Sequence, residues 1–196
     1  MKHVAILDNT VLANFIDSGL IAIFEKLRSI FNHFLIPVEV QNEFLKVPSR
    51  YLAERQRFAD NIGVDIGFYR LCNSFDPIVQ GDLIARVGVD PGEAEAIAQA
   101  VRRNVWIFLT DDRRCSKFIA SQYPFIRCYN SLFLIALLDT AGYIGEVNQV
   151  WKDLNQRINL KSGDLREAYK AAHAFLSLAY DPKAISRKSR LKEILQ

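Results

Sequence analysis

Five short apolar runs stand out along the chain: HVAIL at 3–7, HFLIP at 33–37, IGFYRL at 66–71, VWIFLT at 105–110 and FIRCY at 125–129. Their length and their branched and aromatic content predict strands. Between them, apolar residues recur every three or four positions, the signature of helices with one buried face. VLANF opens one such helix, capped by Asn9 or Thr10, and Leu20, Ile23, Phe24, Leu27 and Phe31 continue the period. VEVQNEFLK, YLAERQRFADNIG and IVQGDLIARV predict three more, and DPGEAEAIAQAVRRN is the clearest, with Asp90 as N-cap and Pro91 in the first turn. DDRRCSKFIASQ and SLFLIALLDTAG follow, and 144–179 reads as two helices, the second with Leu165, Tyr169, Ala172, Phe175 and Leu176 on one face.

Strands alternating with helices predict an α/β fold, a central mostly parallel sheet between two helical layers, with further helices at the C-terminal end. In such sheets ligands gather outside the carboxyl ends of the strands. Two predicted strands end there in acid: HVAIL runs into Asp8, followed by Asn9 and Thr10, and VWIFLT runs into Asp111 and Asp112. Glu39 and Glu43 lie four apart on the VEVQNEFLK helix, and Glu93 and Glu95 occupy the first turns of the DPGEAEAIA helix. Carboxylates gathered in one cleft repel one another and resist ionisation unless a cation balances them. Hard divalent ions with a preference for oxygen, Mg²⁺ or Mn²⁺, are the natural counter-charge. Each acid also has a plain structural use, as a helix cap, a solvated face or a partner of a helix N-terminus. Their joint order is what favours a shared site.

That order resembles the PIN-domain nucleases, through LDNT at 7–10, Glu43, GEAEAIAQA at 92–100 and LTDD at 109–112, over about residues 1–135. The resemblance implies a PIN-like α/β/α domain over 1–140, a C-terminal helical extension with a basic tail over 141–196, and metal-dependent hydrolysis of RNA. It implies Asp8, Glu43, Glu93 and Asp112 as catalytic metal ligands, with Asp111 and Glu95 as further candidates, Glu95 ranking behind Glu93. Asn9 and Thr10 would support Asp8, and Arg113 and Arg114 would hold RNA phosphates. The family also admits an antitoxin-like protein partner and a homodimer. A PIN-like module that binds RNA or protein without cleaving is the alternative, but it leaves the acid set unexplained. A haloacid-dehalogenase-type phosphohydrolase also starts its sheet with aspartate, yet its second aspartate would fall at Thr10.

Composition narrows the remaining classes. Half of the 196 residues are hydrophobic, enough for a substantial core, and 25 basic against 22 acidic residues leave a net charge of +3, which permits nucleic-acid binding without announcing it. The longest uncharged apolar run, LFLIALL at 132–138, is too short to span a bilayer, and the N-terminal run is broken at Asp8, so a soluble cytoplasmic protein is expected. Cys72, Cys115 and Cys128 lack CxxC spacing, and His3, His33 and His173 lack ligand spacing. No phosphate-cradling GxxxxGK[ST] or GxGxxG is present. Lys183, Arg187, Lys188, Arg190 and Lys192 form the basic tail.

Overall fold

The computed structural model of the chain describes residues 3–46, 49–64, 66–73, 76–87, 89–156 and 162–179. The basic tail expected at 183–192 lies outside them. Six strands among the described residues form one parallel sheet: β1 (His3–Leu7), β2 (Phe31–Pro37), β3 (Gly63–Val64), β4 (Tyr69–Cys72), β5 (Ile107–Leu109) and β6 (Arg127–Tyr129), in the order β3-β4-β2-β1-β5-β6. β1 is central because it must be: Ala5, Ile6 and Leu7 are wholly buried, as a parallel strand covered on both faces requires. The chain winds outward from β1 to β2 and β4 on one side, then returns to β5 and β6 on the other. The crevice between the carboxyl ends of β1 and β5 is therefore the topological switch point.

The helices are α1 (Asn9–Asp17), α2 (Ile21–Glu25), α3 (Val38–Leu45), α4 (Ser49–Ala59), α5 (Pro77–Val87), α6 (Pro91–Arg103), α7 (Arg113–Gln122), α8 (Ser131–Thr140), α9 (Val147–Asn155) and α10 (Ser162–Ala179). Three local expectations shift. The cap of α1 is Asp8, not Asn9 or Thr10, which already lie inside the helix. The run at 19–31 is one short helix and a 3₁₀ turn at Lys26–Ser29, after which β2 begins at Phe31, two residues early. β4 begins three residues later than the apolar run at 66–71, because Gly67 turns the backbone at φ +81° and Arg70 Nε donates back to its carbonyl at 2.8 Å.

α6 starts where its sequence predicts. Asp90 accepts from the Glu93 amide at 2.9 Å, and Asn104 closes the helix in the left-handed conformation at φ 52°. Ala94, Ala96, Ala98 and Ala100 have no exposed surface, so α6 lies close on its neighbours. α8 is buried along its whole length and is covered by α10. Phe175 of α10 reaches His3, Phe31, Trp106, Tyr129 and Phe133, and the Tyr169 hydroxyl donates to Asp139 at 2.6 Å. One apolar core thus runs without a break from β1 to Leu176.

Candidate metal and nuclease site

Asp8 leaves β1 in extended conformation (φ −92°, ψ 157°) and caps α1, which fixes its side chain at the switch point. It is 2 % exposed. Its Oδ2 accepts from the Thr10 hydroxyl at 2.5 Å and the Thr110 hydroxyl at 2.8 Å. Each threonine oxygen in turn accepts a main-chain amide: Asp111 N–H donates to Thr10 at 2.9 Å, and Asp112 N–H to Thr110 at 3.0 Å. Two hydroxyls thereby stitch the end of β1 to the end of β5. Burial raises the Asp8 pKa, and the hydrogen bonds from Thr10, Thr110 and the following amides pull it part of the way back.

Glu43 and Glu93 come to this pole from α3 and α6. Glu43 Oε1 accepts from the Gly92 amide at 3.1 Å, at the positive end of α6. A Cβ on Gly92 would stand 2.5 Å from that oxygen, so glycine is what lets the carboxylate dock on the helix end. Burial first, then the charges of Asp90, Asp8 and Glu39, push Glu43 up to about 7, against the Gly92 bond that lowers it. Burial, then Asp90, Asp8 and Asp112, push Glu93 up to about 8. Asp112 caps α7, its Oδ1 accepting from Arg114 N–H at 2.6 Å and Cys115 N–H at 2.9 Å. Asp8, Glu43, Glu93 and Asp112, from four separate segments, thus share one electrostatic field together with Asp90. Cys115 lies beneath them, its thiol pushed far up by burial and then by Glu93 and Asp8, which makes it inert as a nucleophile.

Three other expected residues, Glu95, Asp111 and Arg113, are engaged elsewhere. Glu95 is 1 % exposed and turns to the start of α3, where it accepts from Glu39 N–H at 2.8 Å, Val38 N–H at 3.3 Å and the Gln99 amide at 3.1 Å. It caps a helix whose own N-cap, Pro37, offers no side-chain acceptor. Asp111 accepts from Asn14 Nδ2 at 2.7 Å, Ser131 N–H at 2.9 Å and the Ser131 hydroxyl at 2.5 Å, joining α1 to the N-terminus of α8. Asn9 is half-buried, its Oδ1 buried and unpartnered. Arg113 pairs with Asp164 of α10 at 3.6 Å, and Arg114 is exposed.

The four facing acids offer only oxygen donors, the chemistry of Mg²⁺ or Mn²⁺. Burial raises the pKa values of Asp8, Glu43 and Glu93, and neighbouring carboxylates add to the rise at Glu43 and Glu93. Among the described residues no three His, Cys, Asp or Glu side chains already close around one ion.

A family model described as a PIN domain matches residues 4–170, most of the chain. The chain belongs to the PIN-domain family. PIN domains are generally nucleases, which makes this fold a nuclease-like one. The match runs through α9 and into α10. A comparison with functionally curated proteins finds no match. Among the described residues no helix of this PIN domain is long and apolar enough to cross a membrane.

Several residues that build the site escape the acid pattern. Thr110 and Gly92 each sit beside an expected acid in sequence, and adjacency was their one signal. Arg55 has none: it is 6 % exposed, grips Asp17 through Nε at 2.9 Å and Nη2 at 2.7 Å, and donates to the Phe44 carbonyl at 2.7 Å. It thereby ties α4 and α1 to the residue next to Glu43.

Proposed function

We propose that this PIN domain is a ribonuclease that hydrolyses phosphodiesters with Mg²⁺ or Mn²⁺. The observation that carries the reading is that acids from separate segments act on one another here: the charge of Asp8 raises both Glu43 and Glu93, and that of Asp112 raises Glu93. These four would hold the cation, which when bound supplies charge neutralisation at the phosphate and a more acidic water for attack on phosphorus. The protein's own part is placement. Thr10 and Thr110 fix the rotamer of Asp8, and the Gly92 amide fixes Glu43. Glu43 and Glu93, with pKa values raised to about 7 and about 8, hold protons near neutrality until a cation replaces them. Glu95 and Asp111 support the site from behind, by anchoring α3 and α8.

The test is RNA cleavage by the purified chain with Mn²⁺ and with excess EDTA, beside Asp8→Asn. Cleavage that needs Mn²⁺ and disappears in Asp8→Asn is the expected result. Equal cleavage in EDTA would end the reading.

A further inference from the structure

A cleft of about 470 Å³ opens between α7 and α10. Thr110, which holds Asp8, lines it, so it abuts the switch point. Arg113 and Lys117, one turn apart on α7, form its basic wall. A second depression of about 620 Å³ shares Ser116, Lys117, Cys128 and Tyr129 with the first and runs on to Arg127. β6 is the last strand of the sheet, so the continuous groove follows an open edge. Arg127 and Tyr129 lie two apart on β6 and share a face, and Tyr129 stacks on Phe133 with ring centres 3.9 Å apart.

The charges are sorted across this groove. The cations stand on α7 and β6, and the two lining carboxylates, Asp164 and Glu167, stand on α10. Glu167 is engaged with Lys170 at 2.9 Å. Asp164 meets Arg113 at 3.6 Å, a pair whose arginine side chain is 78 % exposed and therefore weakly held. A row of cations beside an aromatic ring, leading away from a phosphodiester-cleaving centre, matches single-stranded nucleic acid, whose phosphates seek the cations and whose bases seek the ring.

We infer that the groove along α7 and the β6 edge carries the single-stranded RNA that flanks the scissile phosphate. Arg113, Lys117 and Arg127 take its phosphates, Tyr129 meets a base, and Asp164 occupies Arg113 until RNA displaces it. This rests on the ribonuclease reading, and the two can fail separately.

The full chain is titrated against a 5′-fluorescein-labelled 12-nucleotide single-stranded RNA in EDTA, with anisotropy read at several salt concentrations. Lys117 and Arg127 are exposed, so alanine at either leaves the core untouched. Each substitution weakens binding by about three- to tenfold and flattens the slope of log K against log salt by about 0.7, one phosphate contact on a single strand. Asp164→Asn tightens binding about two- to fivefold, through release of Arg113. Hydrolysis of bis(p-nitrophenyl) phosphate by the wild-type chain in Mn²⁺ reads the acidic centre alone, with no flanking nucleotide. A Lys117→Ala/Arg127→Ala chain that binds RNA with unchanged affinity and salt slope overturns the groove, even where that hydrolysis proceeds. A wild-type chain with no affinity for the oligonucleotide overturns it as well. Weakened binding without Mn²⁺-dependent diester hydrolysis leaves the groove standing and removes the nuclease reading.

Discussion

Two buried carboxylates at opposite ends of α1 are treated in opposite ways. Asp17 at the C-terminal end is met by the fork of Arg55, which also satisfies the Phe44 carbonyl, and the pair is sealed with Arg55 6 % exposed. Asp8 at the N-terminal end is equally buried but among the described residues is met by hydroxyls and amides, and its charge reaches two further carboxylates, Glu43 and Glu93. The first arrangement is complete within the protein. The second would be completed by the cation proposed above. Folding alone would discard the second arrangement, so its presence speaks for function.

The two ends should therefore break differently. Arg55→Ala leaves Asp17 buried and uncompensated and costs about 3–5 kcal/mol of stability, seen as a lowered denaturation midpoint in urea. RNA cleavage by the fraction still folded should persist. Asp8→Asn does the reverse: it removes one of several repelling charges, so the midpoint holds or rises. Cleavage should fall roughly a thousandfold, since the charge stabilisation a cation supplies is worth several kcal/mol. A large loss of stability in Asp8→Asn would mean that Asp8 is chiefly a helix cap, and the contrast with Asp17 would be lost.

Gly92→Ala sharpens the comparison without removing any charge. The added methyl would stand 2.5 Å from the Glu43 oxygen, and that carboxylate is the movable end of a flexible side chain. The fold should accept the change within about 1 kcal/mol, because the glycine lies in the first turn of a helix that favours alanine. Glu43, displaced from the Gly92 amide, should cost cleavage about 10- to 100-fold. Parallel urea and cleavage measurements separate the two effects, and unchanged cleavage would remove Glu43 from the proposed set.

The acidic ends of β1 and β5 were legible because both strands are apolar runs that stop at an acid, and α6 because its start carries its own cap in Asp90 and a proline in the first turn. What stayed hidden depended on distant partners. Glu93 and Glu95 differ by two residues on one helix, about 200° apart in direction. Which faces the other acids is decided by where the uncapped start of α3 lands, more than fifty residues back in sequence. Asp111 and Asp112 are separated in the same way, by Asn14 and Ser131 drawing the first of them aside. The family resemblance ranked these pairs, whereas the contacts that orient them belong to other segments. β4 started late for a local reason, since a lone glycine inside an apolar run does not reveal its φ.

The smallest expected effect is a dependence of stability on pH that a cation reverses. Glu43 and Glu93 have folded pKa values of about 7 and about 8, above the ordinary glutamate value that holds when the chain is unfolded. Between those limits the folded chain binds more protons than the unfolded one, so raising the pH lowers stability. The loss begins above the ordinary glutamate range and is complete only above about 8. Glu93→Gln should flatten the slope, while Lys170→Gln, at an exposed ion pair far from the acids in sequence, should not. Mn²⁺ binds the ionised carboxylates in competition with protons, so it should raise the thermal midpoint by a few degrees at pH 8 and scarcely at all at pH 5. A midpoint that ignores Mn²⁺ at pH 8 in the wild-type chain would show that the charge around Asp8 is balanced within the protein after all, and the distinction between the two ends of α1 would disappear.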